Sequence, residues 1–296
     1  MALHGWIILD KPLGLGSTQA VSAVKRALRT AGEPKVKVGH GGTLDPLATG
    51  VLPIALGEAT KLAGRMLDAT KAYDFTVHFG TQTDTLDLEG DVIASSDHRP
   101  TLSDLEAILP RFTGPIEQVP PAYSALKVGG RRAYDLAREG ADVELATRSV
   151  TILNLRIIDG SPMPDAVTLS AMVSKGTYIR SLARDIALAL GTVGHVTMLR
   201  RTRAGPFGLE KAISLDFLDE AAKARALTRT VLPLDAGLDD IPALHVTPEQ
   251  ARLLRQGQVL FGIPGKGPHL AKDGETPVAL VEVSDEGCKV VRGFNL

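Results

Sequence analysis

The chain has 296 residues, 44% of them hydrophobic, and a mean hydropathy of +0.08, enough for a sizeable core and for one large domain plus a small one. A net charge of −1 and a single cysteine, Cys288, exclude a uniformly basic nucleic-acid binder, an internal disulfide and an all-cysteine zinc site. The apolar start of MALHGWIILDKPLG meets Asp10 and Lys11 too early for a signal peptide, and no later run reaches membrane-spanning length, so a soluble cytoplasmic protein is expected.

In chain order, Trp6-Ile7-Ile8-Leu9 reads as a short buried strand ending at a Pro-Gly turn. Ser17-Thr18 can cap a helix through about Arg29, with Val21, Val24 and Leu28 on one face. Pro34 and the stretch Gly39 to Gly42 break structure, and Gly57 to Leu67 has helical spacing. Tyr73 to Phe79 alternates as a half-buried strand with Tyr73, Phe75, Val77 and Phe79 on its apolar face. Leu102 to Leu109 predicts a short helix, and residues 114 to 140 read as a basic loop.

Val167 to Val173 predicts another strand. Gly176 turns the chain, and Thr177 is the expected cap of a helix from Tyr178. Its apolar stripe is Ile179, Leu182, Ala183, Ile186 and Leu190, with Gly191 as the stop. Pro233 to Pro242 reads as a linker before a helix, Pro248 to Gln256, and several short strands. Strands and helices mix without a βαβ repeat, so the expected class is α+β with a small β-rich module at the C-terminus.

The charge is unevenly spread. Residues 231 to 296 carry nine acids and six bases, a net of −3, which leaves +2 for the rest. Bases gather at Lys25, Arg26, Arg29, Lys35 and Lys37, then at Lys127, Arg131, Arg132 and Arg138, then at Arg200, Arg201 and Arg203. Each set could follow phosphates or be an ordinary solvated face.

The stretch GHGGTLDPLATG, residues 39 to 50, places one carboxylate, Asp45, just before an apolar run. Pro46 pushes Asp45 toward an extended backbone, and Gly41 and Gly42 permit tight paths before it. A carboxylate beside a buried segment is costly unless paired. The local sequence allows either a turn aspartate or a functional one. Gly50 to Gly57 is followed by Glu58 rather than lysine, so it is no phosphate-binding loop. The seven histidines form no H-x-x-x-H pair and no G-x-S-x-G occurs. Neither a metal nor a nucleotide cofactor is expected.

GHGGTLDPLATG resembles the catalytic motif of the TruB-type tRNA pseudouridine synthases. Other blocks resemble that family in the same order: Asp10-Lys11-Pro12-Leu13-Gly14, Lys71-Ala72-Tyr73, Thr81-Gln82-Thr83-Asp84, and PPAYSALK at residues 120 to 127 with Tyr134 and Ala137-Arg138. Lys175 to Ala183 and Leu199-Arg200-Arg201-Thr202 complete the series, which spans roughly residues 5 to 210. Gly16 departs from the pattern, where relatives more often carry Ser or Thr. The tail is similar to the small PUA-type RNA-binding module.

The resemblance implies a catalytic domain over 1–235 with a mixed, mostly antiparallel central sheet, flanking helices and loops, and a PUA-like module over 240–296. It implies isomerisation of one uridine in the T-loop of tRNA, position 55, without a cofactor. Asp45 would be the nucleophile, acting on uracil C6 or ribose C1′. Arg180 would be the cation that keeps it ionised, and Tyr73 would stack on the flipped base. Tyr178 would hydrogen-bond near the base or assist proton removal from C5, and Leu199 would wall the pocket. His40 could fill the vacated space, contact RNA or brace its loop. Lys127, Arg131, Arg132, Arg138, Arg200, Arg201 and Arg203 are the RNA-backbone candidates. The expected partner is the T arm of tRNA, bound by a monomer away from any membrane. A tRNA-folding or binding module without catalysis is a second reading. A glycosidase is a third, and it would need Asp84 or Asp87 as a second carboxylate.

Overall fold

The computed structural model describes residues 2–124, 126–140, 145–158 and 165–296. Strand β1 (Gly5–Lys11) leads into α1 (Ser17–Ala31), which buries Ala20, Val21, Val24, Ala27 and Leu28. The cap of α1 is Gly16 rather than Ser17, its N–H donating to Gln19 Oε1 at 2.8 Å. Ser17 is the first helical residue and its side chain serves the neighbouring loop instead.

After β2 (Val38–His40), β3 (Ala48–Leu56) is almost wholly buried because both of its faces are covered. Ala48, Leu52, Ile54 and Leu56 pack under α1, while Val51 and Ala55 join the cluster around Trp6. The expected helix over 57–67 is two pieces, a 3₁₀ segment Gly57–Leu62 and α2 (Ala63–Asp68). Strand β4 (Lys71–Phe79) buries Phe75, Val77 and Phe79 as the alternation predicts.

A hairpin of β5 (Thr81–Thr83) and β6 (Val92–Ser95) precedes α3 (Leu102–Ile108) and β7 (Gly114–Gln118). The segment 114–140 is therefore not all loop. It also holds β8 (Lys127–Val128), β9 (Arg131–Arg132) and α4 (Ala133–Arg138). Then come β10 (Arg148–Ile157), β11 (Ala166–Val173), α5 (Ile179–Ala189) and β12 (Gly194–Ala204). Tyr178, not Thr177, is the residue before α5; the Thr177 hydroxyl donates to Ser174 O at 3.0 Å.

Among the described residues the central sheet runs β1-β3-β12-β4-β11-β10-β7, with β2 on β3 and β13 (Phe207–Gly208) on β12. Its pairs are antiparallel except β3 with β12. That parallel junction pairs Leu199 with Ala48 and Arg201 with Gly50, while β4 brings Tyr73 opposite Arg201. Three chain segments thus meet at the start of β3, and Asp45 lies three residues before it. One face of the sheet buries Ile179, Leu182, Ala183 and Ile186 of α5.

Past α6 (Leu215–Lys223), the expected linker 233–242 is packed rather than loose. Leu234–Gly237 forms a 3₁₀ turn, and Trp6 Nε1 donates to Leu234 O at 3.0 Å. The C-terminal sheet is β14 (Ala243–His245), β15 (Gly267–Asp273), β16 (Thr276–Ser284) and β17 (Gly287–Gly293), covered by α7 (Pro248–Arg255). Leu270 and Phe294 join the core around Trp6, which fastens this sheet to the larger one. No helix among the described residues is long and apolar enough to cross a membrane.

Candidate active site

The loop carrying Asp45 is held from three sides. Ser17 Oγ donates to Leu44 O at 2.9 Å and accepts the Leu44 N–H at 2.8 Å. Gly14 N–H donates to Pro46 O at 2.9 Å. The buried Arg201 guanidinium donates to Val51 O, Thr43 O and Gly42 O at 2.7, 3.1 and 3.2 Å. Lys11 Nζ donates to Pro12 O, Leu15 O and Pro46 O, and burial pushes it down to about 8. Gly50 lies at φ +100, and a Cβ there would sit 2.2 Å from Arg201 O, so β3 and β12 approach as only glycine permits.

Asp45 Oδ2 lies 2.9 Å from Arg180 Nη2. The arginine side chain is 6% exposed and the aspartate 41%, so a fixed buried cation meets an accessible carboxylate. Arg180 is anchored further: Nη1 donates to Thr85 O at 2.7 Å, Nη2 to Tyr123 O at 3.0 Å, and Asp87 Oδ2 lies 3.4 Å from Nη1. Asp87 is itself placed by Thr85 Oγ1 at 2.6 Å and Glu89 N–H at 3.0 Å. Leu86, between Thr85 and Asp87, holds φ 63, a left-handed backbone that an ordinary side chain seldom adopts.

Asp45, Tyr73, Tyr178, Arg180 and Leu199 border one cavity of about 290 Å³ together with Lys71, Ser124 and Arg201. Tyr73 and Leu199 are half-buried and each packs against two hydrophobic clusters, one around α5 and one around α1. Burial pushes the Tyr178 phenol upward, with Ser124 and Arg148 acting the other way. Gln118, 1% exposed, takes Tyr178 N–H on Oε1 at 2.8 Å and donates Nε2–H to Tyr178 O at 3.1 Å. Burial also brings Lys71 down to about 8, although Nζ reaches Leu67 O and Ala69 O at 2.6 Å. A second cleft of about 870 Å³ also borders Asp45, Ser124 and Arg180 and includes Tyr123, Arg132, Tyr134 and Arg138. A carboxylate beside a cavity with aromatic walls can act as a nucleophile toward a flat, electron-poor ring or stabilise a positive centre that forms next to it.

The family description TruB family pseudouridylate synthase (N terminal domain) matches residues 25–179, and tRNA pseudouridylate synthase B C-terminal domain matches 180–239. The chain belongs to the TruB family. It is 66% identical to the tRNA pseudouridine synthase B of Novosphingobium aromaticivorans, over 99% of this chain and 98% of that one. The protein of the same name from Zymomonas mobilis is 60% identical, over 99% and 97%. The fold is similar to a chain in a solved H/ACA RNP bound to a substrate RNA containing 2′-deoxyuridine, with TM-score 0.71, 25% identity and coverage of 99% and 86%. A Cbf5-Nop10-Gar1 complex gives TM-score 0.71 at 26% identity, covering 99% and 84%. As a pseudouridylate synthase this TruB-family chain is an isomerase.

The other sequence candidates divide. His40 sits on β2 outside the residues lining the Asp45 cavity. Burial, then Arg201, lower its pKa. Arg201 departs from the expected phosphate contact: it is 1% exposed and holds the Asp45 loop. Arg200, its side chain 34% exposed, forms a bidentate pair with Asp10, at 2.8 and 3.0 Å, on the opposite face of β12. Arg203 is exposed but its Nε donates to Gly205 O. Lys127, Arg131 and Arg132 are exposed, and Arg131 pairs with Glu139. Arg132 and Arg138 lie 5.9 and 5.5 Å from the Tyr134 ring centre. Ala125 of the PPAYSALK block lies outside the described residues.

Sequence reasoning missed Gln118, Ser124 and the bracing role of Lys11 and Ser17. Lys11 and Ser124 stand inside quoted motifs, and Gln118 lies two residues before Pro120, so nearness to a motif was the available signal.

Proposed function

We propose that the chain converts one uridine in the T-loop of tRNA, position 55, to pseudouridine, with Asp45 as nucleophile. The observation that carries this reading is the Asp45–Arg180 pair at 2.9 Å, open to a cavity that Tyr73, Tyr178 and Leu199 border. The relatives that match this chain over 99% of its length at 66% and 60% identity are named tRNA pseudouridine synthase B.

The uridine leaves its stack, at a cost of a few kcal/mol. Tyr73 then stacks on it and returns about 1–3 kcal/mol. Asp45 attacks uracil C6 or ribose C1′, the N1–C1′ bond breaks, the base turns, C5 joins C1′, and the bond to Asp45 breaks to free the carboxylate. Arg180, 2.9 Å from Asp45, holds the carboxylate in place beside the base. No cofactor takes part in these steps. Residues 1–235 form the catalytic domain and 240–296 a PUA-like RNA-binding module. Arg132 and Arg138, beside the larger cleft, contact the RNA backbone.

The test is a tRNA transcript treated with the protein and then mapped for pseudouridine by carbodiimide-induced primer-extension stops. One new stop in the T-loop is expected, absent when that uridine is replaced by cytidine. No stop anywhere, with tRNA bound, would favour a binding module without catalysis.

A further inference from the structure

The Tyr178 phenol is half-buried and shifted upward, so it is neutral at neutral pH. A neutral phenol has one proton and two lone pairs. It can accept the C5 proton of the product ring only if its own proton leaves. The question is where that proton goes.

Ser124 supplies a route. It is 4% exposed, and its Oγ has no hydrogen-bond partner of ordinary geometry among the described residues. A buried hydroxyl left unpaired is costly, and such groups call for an explanation. Ser124 and Tyr178 line the same cavity, and the serine side chain favours the ionised phenol while burial opposes it. Ser124 borders both the Asp45–Tyr73 cavity and the larger cleft beyond it. Its backbone is fixed, with N–H donating to Ala122 O and C=O accepting from Tyr134 N–H, both at 3.0 Å. The hydroxyl can still rotate. Tyr178 is fixed as well, by the two bonds from Gln118.

We propose that Ser124 relays the C5 proton from Tyr178 to water in the larger cleft. The inference rests on the reaction proposed above. Once C5 has joined C1′, the C5 proton passes to Tyr178 Oη and the phenol proton passes to Ser124 Oγ. The serine proton leaves to water. The electron pair of the C5–H bond returns to the ring, and N1 gains a proton from solvent. Both hydroxyls finish with one proton each, and the product is an isomer of uridine.

The experiment uses the full chain and a T-arm stem-loop labelled at uracil C5 with tritium or deuterium, in single turnover. Ser124→Ala should bind RNA normally but release tritium about 100-fold more slowly, in the range of general acid–base effects. A C5 deuterium isotope effect larger than that of the wild type should appear. Ser124→Cys should recover part of the rate. Adding Ser124→Ala to Tyr178→Phe should cost nothing further, because the two act as one unit. Release from Ser124→Ala at the wild-type rate would overturn the relay. So would slower release with an unchanged isotope effect, which is what a merely structural serine gives. A wild type that released no tritium would remove the reaction and the relay together, whereas a normal wild type with an isotope-insensitive Ser124→Ala would remove the relay alone.

Discussion

Replacing Arg180 by methionine strands the groups around it. The guanidinium serves the carbonyls of Thr85 and Tyr123 and the carboxylates of Asp45 and Asp87. Removing one partner of a buried ion pair costs about 3–5 kcal/mol. Asp45 is 41% exposed and can rehydrate, so little of the loss falls there. Asp87 is 9% exposed and cannot, but it keeps Thr85 Oγ1 and Glu89 N–H. The expected loss is therefore at the lower end, about 3 kcal/mol. Trp6, the one tryptophan and fully buried, reports unfolding in urea by its fluorescence. Adding Asp87→Asn removes the stranded charge and should restore about 1–2 kcal/mol of that loss. Pseudouridine formation should stay at least about 100-fold down in both variants, because preorganised charge at Asp45 is gone. An Arg180→Met protein as stable as the wild type, or a double variant with two additive losses, would refute this account of the cluster.

Other changes test the scaffold. Between about pH 8 and the ordinary lysine value of 10.5, the unfolded chain holds a proton that folded Lys11 has lost. Wild-type stability should therefore gain on Lys11→Met as pH rises through that window, and urea unfolding at about pH 7 and pH 9.5 checks the sign. A difference that does not change with pH would contradict it. Arg225 holds φ 53 just past the end of α6, so Arg225→Gly should stabilise by about 0.5–1 kcal/mol in the same assay. Gly50→Ala should abolish activity and lower Tm, because its Cβ meets Arg201 O. Normal melting and turnover would refute the close approach of β3 and β12.

The elements legible in the sequence are those whose period matches their burial. Tyr73 to Phe79 alternates because one face of β4 meets α5, and the stripe of α5 repeats at helical spacing for the same reason. The segment 114–140 hid its short strands and α4 because pieces of two to six residues carry no readable period. The stretch 233–242 read as a linker from its prolines, yet Trp6, more than two hundred residues away, binds it. Of the site, motif resemblance drew Asp45, Tyr73, Tyr178, Arg180 and Leu199 together, and the fold places them around one cavity. It could not tell a bracing arginine from a contacting one. Arg200 and Arg201 are neighbours in sequence, but strand alternation sends one to Asp10 and the other to the Asp45 loop. Gln118 acts through bonds across the fold and Ser124 reaches the Asp45 cavity only in the folded chain, which no local pattern encodes.

The most direct measurement is tritium release from a T-arm stem-loop labelled at uracil C5, with wild type and Asp45→Asn side by side. Both proteins should fold and bind the RNA, and the wild type alone should release tritium. Equal release by both would leave an enzyme but contradict Asp45 as its nucleophile.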